Sequence, residues 1–77
     1  MIICINKERI DEHEANRMRV VLQCDTTVEA NTKPKNGKTV EDIADGVEFY
    51  AGSIMTCLED SKTYIMNSEN EWIEWTA

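Results

Sequence analysis

The side chains best suited to chemistry in this 77-residue chain are three cysteines, Cys4, Cys24 and Cys57, and a single histidine, His13. A nucleophilic thiol needs a base within hydrogen-bond reach and a third group that orients the base. His13 stands among Asp11, Glu12 and Glu14, acids that favour its charged form, and no spacing ties it to Cys24 or Cys57. The same four residues are zinc-ligand types, but they lack the closely spaced ligand pair of structural zinc sites. Each cysteine lies instead in an apolar run, IICI, VVLQC or SIMTCL. That context reads as a buried, reduced thiol packing as a small hydrophobe. An odd number at wide spacing argues against a disulfide framework and for a reducing compartment.

Carboxylates come in neighbouring pairs, Glu59 with Asp60, Glu41 with Asp42, and Glu12 near Glu14. Glycoside chemistry needs two carboxyl groups ~5–10 Å apart across a cleft, which so short a chain does not frame, so these read as turn and surface acids. The alternating oxygen ligands of a calcium loop and the glycine-rich loop that cradles phosphate are both missing. Trp72 and Trp75, three apart on a strand, face opposite sides and cannot form one sugar-stacking platform. The expectation is a protein without catalytic, cofactor-binding or metal residues, without a small-molecule substrate, and not an enzyme.

The elements that would position these residues belong to one small domain, 1–77, of mainly β or α+β class. The fold expected is an antiparallel β-meander of about five strands with one or two short helical turns. Met1–Ile5 reads as a first strand and Met18–Cys24 as a second. The charged stretch between them, residues 7–17, suits a short helix capped by Asp11 and Glu14 as well as it suits a loop. Val28–Lys38, with Pro34 and Asn36-Gly37, reads as a mobile surface loop held in water by lysines. Thr39–Asp45 suits a helical turn capped by Thr39 and ended by a left-handed Gly46, with Val40, Ile43 and Val47 anchoring it.

All five aromatics lie between Phe49 and Trp75, and the meander is expected there. Gly52 marks a bend, Ser53–Leu58 a strand, Asp60–Lys62 a turn, Thr63–Asn67 a returning strand and Trp72–Trp75 the closing one. With Ser68–Glu71 as the loop, Asn67 falls opposite Trp72, Met66 opposite Ile73 and Tyr64 opposite Trp75. Tyr64, Met66, Ile73 and Trp75 then form the core face. Trp72, Glu74 and Ile65 fall on the other face and are the candidate partner contact.

Charge points the same way. Seven basic and six acidic residues precede Val40, whereas Lys62 and nine acids follow, and the whole carries −7. A phosphate backbone would be repelled by the acidic half, so nucleic acid is not an expected partner. An acidic face meets a basic protein surface or another copy of the chain. The opening MIICIN has an apolar run too short for a signal peptide. No run reaches the ~20 apolar residues of a membrane span, so a soluble protein is expected.

The run from Ala51-Gly52-Ser53 through Ile54–Leu58, Asp60, Tyr64-Ile65-Met66 and Asn67 to Trp72 resembles the C-terminal pattern of short proteins of tailed phages and prophages. A looser match covers Val20–Thr27. The polar turn of that pattern commonly carries a glycine, and here it reads SENE. The resemblance implies a structural or accessory protein in a bacterial cytoplasm or in the virion, and brings no catalytic or ligand residues with it. The function expected is non-catalytic: contact with virion or other proteins, or self-association. The alternative is an acidic binding module or inhibitor that occupies a basic site on a host protein.

Overall fold

The computed structural model describes residues 1–9 and 17–75. Its frame is a hairpin of two eight-residue strands, β1 (Ile2–Arg9) and β2 (Arg17–Cys24), paired antiparallel. Alternate residues of β2, Val20, Leu22 and Cys24, are buried, as a half-covered sheet requires. The register jumps from Cys4–Leu22 to Asn6–Val21, so Ile5 is an extra residue, a β-bulge. The bulge reverses which face each side chain of β1 takes, and it leaves Ile5 exposed.

The charged stretch after Ile5 is therefore neither helix nor loop where it is described. Asn6–Arg9 continues β1, because Met18–Val21 supply its backbone partners, and Glu8 meets Arg19 as an opposite-charge cross-strand pair. The capping pair Asp11 and Glu14, with His13, lies outside the described residues.

Between β2 and the next long strand runs a crossover of about thirty residues, which lets a parallel strand return beside β2. It opens with a five-residue helix, α1 (Thr27–Asn31). Thr26 caps it at capping-box spacing: its hydroxyl accepts the Glu29 N–H at 3.3 Å and donates to Glu29 Oε1 at 3.0 Å. The stretch expected to be a mobile loop is thus partly helical, and it is pinned. Ala30, Pro34 and Gly37 are buried, and the Pro34 carbonyl accepts the Trp72 indole N–H at 2.7 Å.

A 3-10 turn (Gly37–Thr39), capped by Asn36, stands where a tight Asn-Gly turn is expected. The Thr39–Asp45 helical turn does not form. Val40–Glu41 is a strand, β3, parallel to β1, because Ile2 offers Val40 a register partner beside the core. The left-handed residue here is Asp42 (φ 67°), not Gly46. Val40 and Val47 are buried and Ile43 packs against the core, as the sequence predicts.

β4 (Glu48–Phe49) and β5 (Ile54–Cys57) both run parallel to β2, β4 against Arg17–Met18 and β5 against Val21–Cys24. Gly52 bends the chain between them at φ 94°, where an added Cβ would come within 2.7 Å of Arg19 Nε. The bend leaves the Val20 N–H without a strand partner. The fully buried Ser53 hydroxyl fills the gap, accepting from Val20 at 3.1 Å and donating to the Tyr50 carbonyl at 2.7 Å. β6 (Thr63–Met66) and β7 (Trp72–Trp75) complete the antiparallel meander.

The strands lie in the order β3-β1-β2-β5-β6-β7, with β4 also on β2. The fold is mainly β, as expected, but the sheet is mixed rather than antiparallel throughout. Its core occupies one face. Leu22, Met55, Met66 and Trp72 of the longer strands share one cluster there with Ala30, Val40, Val47 and Phe49 of the crossover. The shortest dimension, 17 Å, holds a sheet and one covering layer.

Candidate contact surface

The register of the last hairpin decides which side chains meet solvent. Met66 pairs with Trp72, Ile65 with Ile73, Tyr64 with Glu74 and Thr63 with Trp75. This is one residue from the register a four-residue loop would impose, and a one-residue slip turns every side chain to the other face. The cause is a five-residue connection, Asn67–Glu71, organised by one side chain. Asn67 Oδ1 accepts the N–H groups of Glu69 at 2.9 Å and Glu71 at 3.0 Å. The Asn67 N–H donates to the Glu71 carbonyl, and Asn70 takes the left-handed conformation at φ 60°.

The two tryptophans consequently exchange roles. Trp72, expected to be exposed, is buried in the core beside Met66, with its indole N–H satisfied by Pro34. Trp75, expected in the core, is 52% exposed. The expected Tyr64–Trp75 pair does not form. Tyr64 is buried, its ring covered by the Lys33 ammonium at 3.8 Å. Glu74 lies on the core side of the edge strand, out at the rim, where Lys62 Nζ meets it at 3.3 Å. Of the three candidate contacts, Ile65 alone faces outward from the sheet.

The outward face is the unexpected feature. One row across β2, β5, β6 and β7 reads Val21, Ile54, Ile65, Ile73, and the next reads Gln23, Thr56, Thr63, Trp75. A solvated sheet face normally alternates polar residues outward. Here five of eight positions are apolar and none is charged. Val21, Ile54 and Ile65 are half-buried by their neighbours, whereas Ile73 and Trp75 stand about half exposed. The sequence signal was alternation itself: Ile54/Thr56 and Thr63/Ile65 are β-branched at both outward positions of their strands.

The residues weighed for catalysis do other work. Cys24 and Cys57 are register partners in β2 and β5, fully buried on the core face. Burial, and then the neighbouring Cys57, push the Cys24 thiol up to about 11. Burial also raises Cys4, whose thiol donates to the Asn6 carbonyl at 3.3 Å. Such thiols are poor nucleophiles near neutral pH. We expect none of the three cysteines to react rapidly with an alkylating reagent in the folded protein and all three to react in denaturant. Mass spectrometry counts the labels, and a rapid native label on Cys24 or Cys57 would contradict this packing.

Glu59 accepts the Thr27 N–H at 2.8 Å, which lowers its pKa and ties the end of β5 to the start of α1. Asp60 accepts the Lys62 N–H at 3.1 Å and is lowered likewise. The pair closes a turn. No cluster of three or more potential metal ligands occurs among the described residues. Nor is any described helix long and apolar enough to cross a membrane.

What fold and surface define is a small mixed-β protein with one covered and one open sheet face. No protein-family model matches the chain, and comparisons with curated proteins and with solved structures give no match.

Proposed function

We propose that this chain is a non-catalytic contact protein that engages a protein partner through the open face of its sheet, in the role of a phage or prophage accessory or virion-associated protein. The observation that carries the contact reading is the uncharged, largely apolar row Val21, Ile54, Ile65, Ile73 with Trp75 beside it. An apolar face of this kind marks a binding surface more often than a solvated one. The phage setting rests on the resemblance of Ala51–Trp72 to that group of short proteins.

The test is capture from phage-infected bacterial lysate by the immobilised chain and by Ile73→Lys, with bound proteins identified by mass spectrometry. Capsid or tail proteins are expected on the wild type, retained as salt is raised and lost with Ile73→Lys. Identical capture by both would contradict the reading. Exposed acids such as Asp42, Asp45 and Glu69 favour the second reading, an acidic module on a basic host protein. That reading predicts a host nucleic-acid enzyme, captured regardless of Ile73→Lys and released by salt.

A further inference from the structure

We infer that the occupant of the open face is a second copy of this chain, the two sheets packing face to face as a β-sandwich. The inference rests on the contact reading above and names its partner. Charge selects the copy. At −7 the chain should repel itself, yet no charged residue occupies the two rows, so two copies can meet there without opposing carboxylates. A basic partner would find no carboxylate in these two rows; the outward Glu8 and Glu48 lie beyond them, opposite Arg19 and Arg17. Shape agrees: rows of β-branched residues on one twisted sheet fit a second such sheet ~10 Å away, with strands ~30° apart.

Area sets the strength. Four strands are roughly 19 Å across and four residues roughly 13 Å along the strand. That falls short of the ~800 Å² per partner of a standard interface and places the dimer among weak, reversible ones. Trp75 and Ile73, the most exposed apolar groups of the two rows, would contribute most of the contact. Both lie on β7, an edge strand, so the sandwich also covers the rim of an otherwise open sheet.

The test is sedimentation equilibrium of the full chain from ~10 µM to ~1 mM. The apparent mass should rise from 8.8 kDa toward twice that value. Ile73→Lys should shift the association midpoint upward at least ~10-fold, because a two-fold interface receives the charge twice. Glu69→Lys, on an exposed turn, should leave the midpoint in place or lower it. Circular dichroism of each variant shows that it is folded. A wild type that stays at 8.8 kDa overturns the second copy. So does a dimer indifferent to Ile73→Lys. A monomer that still captures a phage or host protein in an Ile73-dependent way assigns the face to that protein, which overturns this inference and leaves the contact reading standing.

Discussion

Trp72→Ala is expected to cost about 3–5 kcal/mol of folding stability, and Trp75→Ala no more than about 1 kcal/mol. The first removes the largest side chain in the core, leaving a cavity against Met66, and strips the Pro34 carbonyl of its indole donor. It also releases the segment that carries Lys33 onto Tyr64. A chain of 77 residues holds roughly 4–12 kcal/mol in all, so this single change should remove at least about a quarter of the stability and at most all of it. Trp75, half exposed on the last described strand position, has little to lose. Urea titration followed by circular dichroism compares the two midpoints. The reverse order, with Trp75 the costly residue, is what the other hairpin register demands and would rule out this one.

Gly37→Ala is expected to cost about 2–4 kcal/mol, and Gly46→Ala to be neutral or stabilising by up to ~1 kcal/mol. A Cβ on Gly37 would overlap the Ala44 carbonyl oxygen, lie 2.9 Å from its carbon and come within 3.1 Å of Ile43 Cγ2. Two of those atoms are backbone and cannot swing aside. The same carbonyl accepts the Val47 N–H at 3.1 Å, and the Gly37 N–H donates to the Val47 carbonyl at 2.9 Å. Moving it therefore loosens the clasp that brings Val40 and Val47 into the core. Gly46 has open space around its Cβ position and needs no left-handed angle, so alanine there only restricts the unfolded chain. Thermal melts of the two variants should move in opposite directions, or Gly46→Ala should not move at all. A Gly37→Ala melt that matches the wild type would show that the 3-10 turn does not sit against Ala44.

Much of the C-terminal half was legible from local chemistry. β-branched and aromatic runs bounded by Asp60–Lys62 and by Ser68–Glu71 locate β5, β6 and β7 within a residue. Gly52 announces its bend because only a residue without a Cβ sits comfortably at φ 94° so close to Arg19. The cysteines read as core, and the core holds all three. Register was not legible, because it turns on whether Asn67 ends a strand or opens a loop. Its side-chain hydrogen bonds to Glu69 and Glu71 choose the loop, and with it the burial of Trp72. The sign was an asparagine ahead of polar residues, where an Asx turn competes with strand pairing.

The crossover failed for a different reason. Low hydropathy in Val28–Lys38 suggests solvent, but position there is set by tertiary partners that local composition does not carry. Trp72 reaches Pro34, Val47 reaches Gly37 and Glu71 reaches Lys35. The one local clue was Thr26 three residues ahead of Glu29, the capping-box spacing that starts α1. The strands β3 and β4 were equally hidden, since two-residue pairings leave no periodicity to read, and so was the parallel pairing of β5 with β2. The candidate contact shifted with the register: Ile65 stays on the outward face, Trp72 leaves it, and Ile73 and Trp75 join.

The two uncharged rows extend across β7 only if Ile65 stands opposite Ile73. Proton nuclear Overhauser spectroscopy of the folded chain reads that pairing directly. Cross-strand contacts between Ile65 and Ile73, and between Met66 and Trp72, are expected, together with contacts from the Trp72 ring to Pro34. Contacts joining Tyr64 to Trp75 and Asn67 to Trp72 instead would turn Ile73 and Trp75 inward and bring Glu74 onto the open face, breaking the uncharged rows on which the proposed contact depends.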